Sequence, residues 1–187
     1  MSMSLVNPVA GGSVLDTKEH ARIIADFERV CTVAGIQGHF LYESMTTYCG
    51  PEEVAWVRKF WTHKADGVSG LILHGVHRPD TRCQAIASAL LRNYVDARVI
   101  PLNTLIESTL NGGVAQSPTV LIIPNLFVSA MGKNMPAWRV QAIYDLLLER
   151  STKSKPTVAY VEDLKGLVAL YGEPFHDFLS RFVIVTE

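Results

Sequence analysis

The stretch GLILHGVHRPDTRCQAIASALL, residues 70–91, has the frame of a phosphate-binding turn. An apolar run is followed at once by Gly75, then by a short loop, then by a helical pattern. Such a turn offers free backbone N–H groups at a helix N-terminus, where phosphates are held. The full motif reads G-x-x-x-x-G-K-[ST]. Counted from Gly75, Asp80 stands in the second glycine position, Thr81 in the lysine position and Arg82 in the hydroxyl position. A carboxylate at Asp80 repels phosphate, and as an N-cap it takes the N–H groups that should bind one. Arg78 and Arg82 are the nearby cations, and a guanidinium does not replace lysine like for like.

The chemistry fails at a second place. A nucleoside triphosphatase needs an acid at the end of another strand to hold magnesium. Here TVLII (119–123) is followed by Pro124 and Asn125, neither of them charged. His74, His77 and Cys83 match no familiar zinc spacing and lack a fourth ligand, so neither a metal nor another cofactor is expected. The three cysteines, Cys31, Cys49 and Cys83, are widely spaced, which fits free thiols in a reducing cytoplasmic setting. None has an arranged base partner that would make it a nucleophile.

Lys133, Arg139, Arg150, Lys153 and Lys155 make one region locally basic. This suits contacts to DNA phosphates or, equally, a solvated helix end. Trp56, Trp61 and Trp138 suit either base stacking or a core. The apolar stretch from Phe127 to Met131 suits a partner-docking loop or a segment packed under the next helix.

These residues need elements to position them. The apolar runs GLILH (70–74), ARVIP (97–101), TVLII (119–123), TVAYV (157–161) and RFVIV (181–185) lack polar alternation, as parallel strands covered on both faces do. Helical patterns lie between them at 81–94 (Cys83, Ile86, Ala87, Leu90, Tyr94) and 136–150 (Val140, Ile143, Tyr144, Leu147). Two more precede the first strand. One spans Asp16 to Val33, with Asp16 or Thr17 as cap. The other runs from Pro51 to about His63, with Val54, Val57 and Trp61 on one face. Strand–helix alternation predicts an α/β fold, a three-layer, doubly wound parallel sheet of about five strands with N-terminal helices. The chain divides into a flexible start (1–15), a helical lead-in (16–66) and an α/β core (67–187). At 187 residues it suits one core, and its net charge of −1 excludes a strongly basic coat for nucleic acid. No apolar run approaches the ~20 residues of a membrane span.

The segment AGIQGHFLYESMTTYCGPEEVAWVRKFW, followed by GLILHG, resembles the lead-in of bacterial replicative-helicase loaders of the DnaC/DnaI type and of IstB-type transposition ATPases. PTVLIIPN falls where that family has its aspartate-bearing strand, and the run from AWRVQAIYDLLLER to FLSRF resembles the segment through its sensor strand. The resemblance covers roughly residues 34–187. It implies an AAA+ core with degenerate nucleotide motifs, and it sets Arg181 near the family's inter-subunit arginine. It implies a replication or transposition setting, with a replicative helicase, a helicase loader, a transposase or single-stranded DNA as partner, and a possible homo-oligomer. The expected role is binding without ATP hydrolysis. The alternative is a divergent ATPase in which Arg78 or Arg82 replaces the lysine and Glu162 or Asp163 supplies the acid.

Overall fold

A computed structural model of the chain describes residues 13–110, 118–132 and 135–187. Five strands, β1 (Gly70–His74), β2 (Ala97–Val99), β3 (Val120–Phe127), β4 (Thr157–Val161) and β5 (Phe182–Thr186), form one sheet in the order β2-β3-β4-β1-β5. Every neighbouring pair is parallel. The expected α/β sheet of about five strands is the observed one.

Eleven α-helices surround it: α1 (Ala21–Ala25), α2 (Phe27–Ala34), α3 (Gly38–Tyr42), α4 (Pro51–Arg58), α5 (Phe60–Ala65), α6 (Pro79–Arg92), α7 (Leu102–Leu110), α8 (Ser129–Gly132), α9 (Ala137–Thr152), α10 (Leu164–Tyr171) and α11 (Glu173–Leu179) among the described residues. Successive side chains of a strand point to opposite faces. Leu71, Leu73, Val120, Ile122, Val158 and Val185 thus join a core with the lead-in helices and α6. Ile72, Leu121, Ile123, Ala159 and Val161 join a second core with α7, α9, α10 and α11. The lead-in is therefore part of one face of the sheet. The close start of β1 requires glycine: a Cβ at Gly70 would lie 1.7 Å from the Thr157 carbonyl oxygen.

Several boundaries differ from expectation. The helix expected over 16–33 is broken at Asp26 (φ −108°, ψ 26°) into α1 and α2. The Asp16 carboxylate still caps the approach, accepting from the Lys18 and Glu19 N–H groups. A second break, at Lys59 (φ −96°, ψ 14°), separates α4 from α5 and moves the buried face. Glu53, Trp56 and Phe60 are buried instead of Val54, Val57 and Trp61, and Trp61 is exposed. Of the expected flexible start, residues 1–12 lie outside the described residues. Leu15 is buried and the Val14 N–H donates to the Tyr42 carbonyl.

β3 runs on to Phe127 through Pro124. Its register against β4 passes from Ile123↔Ala159 to Phe127↔Val161, a bulge that accommodates proline's missing N–H. Phe127 is buried and its ring packs against the position of Gly166 in α10, so this end of the apolar stretch lies under a helix. No helix among the described residues is long and apolar enough to cross a membrane.

Candidate functional site

The loop after β1 has the phosphate-turn frame but a different interior. Gly75 takes φ 63°, the left-handed region that glycine favours, and its N–H donates to the Val161 carbonyl. Val76 is buried. Arg78, itself left-handed (φ 52°, ψ 55°), is the N-cap of α6, and Pro79 fills the first turn. Asp80 is exposed in that first turn and does not cap the helix. This corrects the expected capping role of Asp80: with Pro79 as the first helical residue, the cap falls two residues earlier, at Arg78. The Asp80 carboxylate still sits at the positive end of the helix.

Arg82 organises the site. Its Nη1 donates to Glu53 Oε1 (2.5 Å), its Nη2 to Glu187 Oε1 (2.7 Å) and its Nε to the His77 carbonyl (3.1 Å). The other oxygen of Glu187 accepts from the His77 backbone N–H at 2.6 Å. The Glu187 carboxylate thus occupies a backbone donor of the loop and a guanidinium together. The Arg82 side chain is 13% exposed and that of Glu53 1%. Burial works against the Arg82 charge, yet the bond to Glu53 and the charges of Glu53 and Glu187 outweigh it, and its pKa is raised. The His77 N–H, with Arg82 beside it, holds the Glu187 carboxyl below its ordinary range. The half-buried Cys49 thiol contacts the Arg82 carbonyl, and burial with the Glu53 charge pushes it up to about 12. An unreactive thiol results.

At the end of β3, the Asn125 side-chain oxygen accepts from the Leu102 N–H (2.8 Å), which satisfies the start of α7. Pro124 is buried within the strand. At the end of β4, Glu162 Oε2 accepts from the Ser129 N–H (2.5 Å) at the start of α8, and Asp163 caps α10 through the Lys165 N–H (2.9 Å). Each acid that a divergent ATPase would recruit already satisfies a helix start. Thr81 is half-buried in α6.

The expected DNA-contact residues do not form one surface. Arg139 lies at the start of α9, bonded to Asn103 (2.5 Å), whereas Arg150, Lys153 and Lys155 lie at the opposite end of that helix and in the turn beyond. Arg150 is a correction outright. It is 3% exposed and donates to Thr157 Oγ1 and to the carbonyls of Pro118, Thr119 and Pro156. Burial lowers its pKa to about 10. Lys153 pairs with Glu149 one turn back, and Lys155 is half-buried. Lys133 lies outside the described residues. Arg181 is exposed at the start of β5. Trp56 is core, while Trp61 and Trp138 are exposed.

Sequence reasoning missed Glu53 and Glu187 as members of the site. Glu53 carried only the signal of a first-turn carboxylate, and Glu187 carried none. With them in place, carboxylates stand at the turn where a nucleoside triphosphate would bring its phosphates. Carboxylates take the loop donor and the guanidinium, and no acid at the β3 end is available to a cation.

No protein-family profile matches the sequence. No curated protein matches it. Solved structures do match in shape. One is the crystal structure of a DNA replication initiation factor, with TM-score 0.57 and 7% identity, covering 81% of this chain and 50% of that one. Another is the replication initiator DnaA bound to AMPPCP and single-stranded DNA, with TM-score 0.52 and 10% identity, covering 76% of this chain and 49% of that one. The likeness is one of fold: over most of its length the chain shares the parallel α/β architecture of these structures. The chain spans about half the length of these structures.

Proposed function

We propose that this protein acts in DNA replication by binding, as a helicase-loader-like module on an AAA+-like core that does not hydrolyse ATP. It engages a replicative helicase, a helicase loader or DNA. The observation that carries the reading is the Glu53–Arg82–Glu187 network, which fills the phosphate turn with the protein's own carboxylates. The diversion of Asn125, Glu162 and Asp163 to helix starts supports it from a second side of the site. The shape likeness to replication initiators favours replication over transposition.

The test is thermal unfolding with and without millimolar ATP and magnesium, followed by an ATPase assay with single-stranded DNA. The expected result is an unchanged melting temperature and no turnover. A ligand at 100 times its Kd stabilises by about 2.7 kcal/mol, a readily measured shift. Such a shift, or turnover lost in Arg82→Ala, overturns the reading. Co-purification from the host then separates the partners: a hexameric helicase or its loader fits the proposal, and a transposase refutes the replication setting.

A further inference from the structure

β5 is an outer strand of the sheet, and among the described residues its outer edge lacks the usual protection. Natural edges are blunted by charges, proline, bulges or a covering element, because unpaired backbone groups invite another strand. Residues Phe182–Thr186 include neither a charge nor a proline, and Ile184 is 41% exposed. The outward-facing backbone groups follow from the pairing with β1. The Arg181 carbonyl accepts from the Ser69 N–H at 2.8 Å, so it faces β1. Backbone direction alternates along a strand. Val183 and Val185 therefore also bond toward β1, and Phe182, Ile184 and Thr186 direct their N–H and C=O groups outward. Phe182 and Ile184 also line an open groove of about 800 Å³ with Leu164, Val168 and Leu179 from α10 and α11.

We propose that a second copy of this chain covers the edge. Two β5 strands pair antiparallel about a two-fold axis at Ile184, joining two sheets into one. Ile184 meets Ile184 as a hydrogen-bonded pair, Phe182 stands opposite Thr186, and Val183 opposite Val185. The same register sets Arg181 of each copy opposite the partner's Glu187. Both are odd positions and share one face of the ribbon. Arg181 is exposed, and Glu187 keeps 43% of its side-chain surface while bound to Arg82 and the His77 N–H. Opposite charges at facing positions favour this pairing, whereas a parallel in-register ribbon would set Arg181 against Arg181 and Glu187 against Glu187. A slip of one residue would turn the apolar groove residues to the wrong face. The two-fold axis makes the contact self-complementary and closed.

Analytical ultracentrifugation of the full chain, with circular dichroism to check folding, tests this. The expected mass is twice the 20.6 kDa of one chain. Ile184→Lys, which opposes two ammonium groups on the axis at an exposed position, gives a folded monomer. Arg181→Glu weakens association roughly tenfold, the equivalent of about 1.4 kcal/mol. Ile184→Cys provides an independent readout. Facing Cα atoms of a hydrogen-bonded pair lie about 5.5 Å apart, within disulfide range. Diamide, which accepts the two electrons and two protons of the thiols, therefore cross-links Ile184→Cys chains into dimers. Thr186→Cys chains, offset by about 13 Å at ~3.3 Å per residue, do not cross-link. A wild-type monomer up to roughly 100 µM, a weak-complex concentration, overturns the proposal. So does association that survives Ile184→Lys, or equal cross-linking at both positions.

Discussion

Replacing Arg82 by methionine distinguishes a structural guanidinium from a ligand-binding one. Glu53 is 1% exposed, and its carboxylate is neutralised by Arg82, itself 13% exposed. Methionine keeps much of the side-chain volume but leaves the Glu53 carboxylate buried without a counter-charge. Breaking a buried pair from one side costs about 3–5 kcal/mol. A chain of this size loses about 2–4 °C of melting temperature per kcal/mol, so the fall is roughly 6–20 °C. The double variant Glu53→Met with Arg82→Met removes both charges and recovers most of that loss, since a buried pair is often replaceable by apolar groups of similar volume. Urea unfolding followed by circular dichroism supplies all four corners of the cycle, with the slope checked for two-state behaviour. An Arg82→Met loss below about 1 kcal/mol, the range of an exposed pair, would refute the reasoning. Additive losses in the double variant would refute it as well, because they would mean that the two residues do not act on each other.

Two further outcomes follow from the same network and from its counterpart across the sheet. The Glu187 carboxyl is held below its usual 4.5, so its contribution to stability is present above that pH and is lost as pH falls through the lowered folded value. The melting-temperature gap between wild type and Glu187→Gln is therefore widest near neutrality and closes in acid; a gap that grows in acid contradicts the assignment. Arg150→Met takes the guanidinium donors from the carbonyls of Pro118 and Thr119, at about 1–3 kcal/mol for each group left unsatisfied, while the Pro156 carbonyl keeps the Leu121 N–H. It lowers the midpoint in urea yet leaves the salt dependence of any DNA binding unchanged; a flatter salt slope measured by fluorescence anisotropy would return Arg150 to the DNA contacts.

The sheet was legible in the sequence because its strands are buried on both faces, and such strands read as unbroken apolar runs. β1 and β4 begin and end where those runs do. β3 outran its apolar stretch because a bulge lets a strand carry Pro124, which a local reading takes as a stop. The helix faces were less legible. A single non-helical residue, Lys59, turns α5 relative to α4, and periodicity carried across it selects Trp61 where Phe60 is buried. The site was half legible. The departure of this turn from the phosphate motif can be read in Asp80, Thr81 and Arg82 themselves. What took its place is written 29 positions away at Glu53 and 105 positions away at Glu187, and no local spacing joins these. Arg150 was misread for a related reason: a cation at a helix end usually points to water, and its carbonyl partners come from segments that only the folded sheet brings together.

The strand order also governs how this chain must fold. β1 is the first strand made, yet its two neighbours are β4 and β5: Gly70 pairs with Thr157 on one side and with Phe182 on the other. Neither neighbour of β1 is its successor in the chain, so no single crossover pairs it, and the entropy of closing long loops precedes any gain from that pairing. The pairings of β1 therefore belong to the long-range contacts that slow folding. During synthesis the apolar run of β1 waits without a neighbour until β4 has emerged, and its second edge stays unpaired until β5 follows, an interval in which exposed apolar backbone invites aggregation.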